Sequence, residues 1–148
     1  MTGRTAAALA GMVLVGAVVA GCSEQGDDYC AEVAEHQVAL SDIAASDDPG
    51  ALFDALAVYR QLRDAAPPDL ADEWSQVVGR LAALEEAVES AGVDPATYDP
   101  KDPPADLTEQ ERTAIEGAAR DLGDPATQQA MGGLEQQALD VCKTPLSR

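Results

Sequence analysis

From residue 29 to residue 142, apolar side chains recur at intervals of three and four, and nowhere do they alternate at the period of two that a half-buried strand requires. Tyr29, Val33, His36, Leu40 and Ile43 trace one face of a first helix that Asp27 or Asp28 can cap and that runs to about Ala45. Asp47-Asp48-Pro49-Gly50 stops it and opens a second, with Asp as cap and Pro49 at the first helical position. There Leu52, Leu56, Tyr59 and Leu62 or Arg63 point inward, and Pro67-Pro68 ends the element. Asp69 caps the clearest stripe of the chain: Leu70, Trp74, Val77, Leu81, Leu84, Val88 and Ala91, with Asp72, Glu73, Gln76, Arg80, Glu86 and Glu89 largely off it. Gly92 is placed to take the left-handed position after that helix, with Val93 as its apolar follower.

The segment Asp94 to Asp106 is rich in Pro and Asp and reads as an irregular loop. Thr108 with Glu111 forms a capping-box pattern for a fourth helix that buries Ile115, Ala118, Ala119 and Leu122 and ends at Gly123. Asp124-Pro125 opens a fifth, with Met131, Leu134, Ala138 and Val141 inward, unless the last two helices are one. Gly132-Gly133 inside it predicts a kink or a close helix contact. Short links favour antiparallel neighbours. The expected fold is therefore all-α, a four- to five-helix antiparallel bundle over residues 29–143, followed by a loose tail from Thr144 to Arg148.

The amino terminus has another character. Arg4 precedes an uncharged apolar run from Ala6 to Ala20, which ends in small residues. Fifteen helical residues span roughly 22 Å, less than the ~30 Å of a bilayer's hydrocarbon core, and Gly11 and Gly16 weaken the helix further. Residues 1–21 are expected to be a cleaved secretory signal peptide, the competing reading being an uncleaved single-pass anchor. Residues 22–28 would then form a short polar tether reaching at most ~20 Å.

The tetrapeptide Val19-Ala20-Gly21-Cys22 resembles the lipobox of bacterial lipoproteins: a branched apolar residue, two small ones, then Cys. That resemblance implies cleavage between Gly21 and Cys22 and a diacylglycerol on the Cys22 thiol, because a soft sulfur nucleophile makes a stable thioether. A chain carrying two or more acyl groups is durably anchored to a membrane without spanning it. Three further stretches resemble small exported lipoproteins of actinobacteria: Asp28-Tyr29-Cys30, Val93-Asp94-Pro95-Ala96-Thr97-Tyr98 and Asp140-Val141-Cys142-Lys143-Thr144-Pro145. This implies an all-helical domain with paired terminal cysteines, and it contributes no catalytic residue.

Of three Cys, Cys30 and Cys142 remain once Cys22 is assigned to lipid. An even pair in an exported chain suggests one disulfide, against the alternative of two separate thiols. It would fasten the first helix to the last. The chain has 148 residues with 27 acidic and 9 basic side chains, a formal charge of −18. No cluster of Lys or Arg is present to neutralise phosphates, so nucleic acid is excluded as a partner. The same charge repels anionic headgroups, which leaves the lipid on Cys22 as the whole membrane attachment. It also favours a basic envelope protein as partner.

Candidate chemistry is sparse. Aromatic residues make up 3% of the chain, too few for a platform that stacks sugars or bases. His36 is the only imidazole; as a metal ligand it has no companions in sequence, and a hydrogen-bonded core or groove His is the simpler reading. No hydrolase triad, P-loop or dinucleotide-binding glycine pattern occurs, so neither an enzyme nor a cofactor is expected. Asp94, Asp99 and Asp102 are weak candidates for a hard-cation site, but each directly precedes Pro, where turn initiation accounts for it. Glu85, Glu86 and Glu89 read as a solvated face. The sequence thus predicts a lipid-anchored binding module outside the cytoplasmic membrane. The alternative is a small-ligand or divalent-cation carrier that uses a groove between helices or the loop from residue 94 to residue 109.

Overall fold

The computed structural model describes residues 23–147, with side chains from Gln25 onward. The leader, the cleavage position and Cys22 lie outside the described residues. Five α-helices follow one another: α1 Ser23–Ala44, α2 Ala51–Ala65, α3 Ala71–Ser90, α4 Glu109–Leu122 and α5 Pro125–Gln137. There is no strand among the described residues. Short 3-10 turns occupy Pro68–Leu70 and Pro95–Thr97, and a π-helical turn, Ala138–Cys142, extends α5. The protein is all-α, a helical bundle as the apolar period predicts.

Helix α3 is the hub. Its stripe of Trp74, Val77, Leu81, Leu84 and Val88 is buried, Val78 beside it as well, and α2, α4 and α5 all pack on it. Trp74 is fully enclosed. Its Nε1 donates to the Tyr29 hydroxyl at 3.2 Å, and its ring meets Tyr59 at 5.5 Å between centroids, so one side chain joins α1, α2 and α3. The α3 terminus is as expected: Gly92 sits at φ 73, its N–H donates to the Glu89 carbonyl and the Val93 N–H to the Val88 carbonyl.

Cys30 and Cys142 are disulfide-bonded, with Cα atoms 5.0 Å apart and a sequence separation of 112. The π turn makes this possible. Its i→i+5 bonding takes one more residue per turn than an α-helix, so side chains after Ala138 change phase. Val141, expected inside, is 55% exposed, while Cys142 is brought against the core. Lys143 then ends the turn in the left-handed region at φ 58.

Several other expectations need correction. The polar segment from Ser23 to Asp28 is not an extended tether but the start of α1, because acidic side chains favour a helix amino terminus and no proline interrupts it. Asp27 and Asp28 are therefore inside the helix and do not cap it. The α1 face buries Gln37 where His36 was expected, and His36 is half-buried beside it. Asp69 lies within a 3-10 turn and makes no cap.

Helix α2 begins at Ala51, after an Asx turn in which the Asp48 carboxylate accepts from the Gly50 N–H at 2.9 Å. Its inner face holds Phe53, Leu56 and Leu62, leaving Leu52 45% exposed. Helices α4 and α5 are separate. Asp124 caps α5 by accepting from the Ala126 N–H, and the Thr127 hydroxyl joins Gln76 of α3 to the Asp121 carbonyl. In α4 only Ile115 is buried, Ala118 and Leu122 are half-buried, and Ala119 is exposed. Met131 is half-buried. A Cβ on Gly132 or Gly133 would meet nothing within 4 Å, so no close helix contact explains them, and α5 runs unbroken through both. The tail is not loose as far as Ser147. Leu146 is 1% exposed, and the Pro145 carbonyl accepts from Gln37 Nε2 at 3.2 Å.

Candidate ligand-binding groove

The loop from residue 94 to residue 106 is braced from within by short-range hydrogen bonds. Asp94 accepts from the Ala96 N–H at 3.0 Å, and Asp99 accepts from the Lys101 N–H at 2.8 Å. Leu107 is buried. Thr108 and Glu111 then exchange the reciprocal bonds of a capping box, which sets the direction in which α4 leaves. The backbone at Ala96 lies so close to the start of α2 that a Cβ on Gly50 would stand 2.3 Å from its carbonyl oxygen. The loop is held against α2 by this contact and against α3 by its own 3-10 turn.

Between loop, α2 and α4 this leaves a groove of about 420 Å³, within the usual size of small-molecule sites. Phe53, Leu84 and Ile115 are its buried inner residues; Leu52, Leu122 and Ala119 line it further out, with Pro49, Pro100 and Pro103. Arg112 and Glu116, one turn apart on α4, and Tyr98 of the loop supply its polar groups. Burial raises the Tyr98 phenol above its ordinary pKa, and Glu116 and Asp99 push the same way against Arg112. The hydroxyl therefore stays protonated at neutral pH and can donate.

A second groove of about 430 Å³ lies on the other side of Leu52, lined by Leu40, Ile43, Met131 and Leu146. The carboxylates in its lining are Asp48 and Glu135, and no Lys or Arg accompanies them among the described residues. Burial chiefly, and Glu135 secondarily, raises the Tyr59 phenol beside it.

The residues singled out in the sequence do not converge. Asp94 and Asp99 accept from backbone N–H groups of their own turns, and the Asp102 N–H donates to the Asp99 carbonyl. Among the described residues no three His, Cys, Asp or Glu side chains are placed to hold a metal ion. His36 lines neither groove. Its Nε2 is 3.3 Å from Glu32 Oε2 but is not aligned for a hydrogen bond. Glu85 is half-buried and pairs with Arg60 at 3.3 Å, while Glu86 and Glu89 are exposed as expected. Sequence reasoning missed the groove, although Arg112, Ile115, Ala119 and Leu122 do share one helical face.

No family model, no curated protein and no solved structure matches this chain.

Proposed function

We propose that the protein is an exported lipoprotein, held at the outer face of the cell membrane by lipid on Cys22, whose helical domain binds a ligand and catalyses no reaction. The apolar groove beside α4 carries the binding role, since it is concave, apolar at its floor and furnished with a few polar groups at its mouth. Export is supported by the apolar leader and by the disulfide between Cys30 and Cys142, a bond that persists in oxidising compartments. Lipid attachment is supported by Val19-Ala20-Gly21-Cys22, which resembles a lipobox. No described helix is long and apolar enough to cross a membrane.

Mass spectrometry of the protein taken from its native envelope tests the placement. The expected species begins at Cys22, carries an acyl mass and has no free thiol; a chain beginning at Met1 without added mass overturns it. The binding role is read separately. A ligand that binds the native state raises the melting temperature, so small molecules extracted from the envelope should raise that of the Cys22→Ala protein, and a melt unmoved by every extract refutes a ligand. The formal charge of −18 favours a second reading, docking to a basic envelope protein. Under that reading a cross-linked partner is recovered at low salt and lost at high salt.

A further inference from the structure

Three of the seven Lys and Arg side chains among the described residues have a carboxylate at hand. Arg60 pairs with Glu85, Arg63 with Asp64 and Arg80 with Asp121. Arg120 donates Nε to the Glu116 carbonyl at 3.1 Å. Arg112, Arg120, Lys101 and Lys143 have no carboxylate within ion-pair distance among the described residues, and of these four Arg112 alone is half-buried and lines the groove beside α4. The half-buried Tyr98 faces the same groove, and its hydroxyl likewise has no hydrogen-bond partner among the described residues.

We propose that this groove binds a single-chain amphiphile with a carboxylate head, its hydrocarbon along Phe53, Leu84 and Ile115 and its head against Arg112 and the Tyr98 hydroxyl. The planar guanidinium fork matches a carboxylate in two parallel hydrogen bonds. A cationic head would meet Arg112 as a like charge, and a wholly apolar ligand would desolvate the guanidinium without compensation. Glu116 on the same rim opposes an anion, but it is exposed and therefore better screened than the half-buried Arg112. The inference deepens the binding role proposed above and is independent of the anchor. Amphiphile binding can fail while an acyl mass is found on Cys22, and the reverse.

Calorimetric titration of the full chain carrying Cys22→Ala, with dodecanoate, dodecanol and dodecylammonium below their micelle concentrations, decides it. Saturable binding is expected, tightest for dodecanoate, with decanoate roughly tenfold weaker for its two missing methylenes. Arg112→Gln should weaken dodecanoate at least about tenfold and leave dodecanol unchanged; Glu116→Gln should tighten dodecanoate. Ala119→Trp, which places a ring over the groove from an exposed helix position, should abolish binding while the melting temperature stays near that of the parent. No saturable heat, equal affinity for the three heads, preference for ammonium, or indifference to Arg112→Gln each overturns the proposal. If the lipidated protein fails to bind where Cys22→Ala does, the protein's own acyl chain fills the groove, which overturns a free amphiphile as its occupant.

Discussion

Helices α3 and α4 pack against each other, yet they are held by different means. Helix α3 buries six side chains and is flanked by α2, α4 and α5, whereas α4 buries Ile115 alone and turns Ala119 and Leu122 toward a groove. Helix α4 is held by its packing on α3 and, at its start, by the reciprocal bonds of Thr108 and Glu111 and the neighbouring loop. A central helix with many buried contacts opens only when the whole domain does, while an edge helix with few can open by itself. The difference separates the part of the molecule that supplies stability from the part with apolar surface left over for a ligand.

The disulfide encloses both regions, so breaking it should weaken both together. Replacing Cys30 and Cys142 by Ser should cost roughly 4–5 kcal/mol in the chain-entropy picture of a loop this long, read as a single shifted denaturant transition. At the centre, Trp74→Phe removes the donor to the Tyr29 hydroxyl and leaves a void, for a loss of about 2 kcal/mol. Hydrogen exchange should then accelerate in α3 and α4 alike. At the edge, Thr108→Ala should cost about 1 kcal/mol and speed exchange in the first turns of α4 without touching α3.

The smallest effect is one of pH. The bonds from Thr108 hold the Glu111 carboxyl below its ordinary value of 4.5. Because the folded pKa is depressed, the stabilisation is present above that ordinary value and is lost as pH falls through the folded one. On acidification, protection at the start of α4 should fall before that of α3, and Glu111→Gln should flatten this dependence. Equal loss in both helices at every pH would mean that they are one cooperative unit.

The regions also differ in how far their sequence discloses them. The α3 stripe was legible because each of its apolar residues lies on one helical face, and its end was legible because Gly92 needs the left-handed backbone that it adopts. The capping box was visible for a similar reason, since both partners lie within four residues. Period fails where the helix changes its pitch: Leu134 and Ala138 are buried as expected, but the π turn carries Val141 outward. Leu146 has no periodic neighbours, and it reaches the core where the Pro145 carbonyl meets Gln37, 108 positions away in sequence. At the start of α2 Phe53 is buried and Leu52 exposed, and the Ala96 backbone that abuts Gly50 there is remote in sequence. The groove was illegible on the same grounds. Its lining comes from four segments, two of its prolines read as loop formers, and Arg112 is set apart only by facing the groove half-buried and without an ion pair.

The contact at Gly50 has a mutational consequence. Even the methyl of alanine would overlap the peptide plane of Ala96, and that plane cannot swing aside as a flexible side chain would. A library randomised at this single codon should return one amino acid among its folded members. Any larger residue tolerated there would have to displace the proline-rich wall with it, changing the width of the cleft without altering any residue inside it.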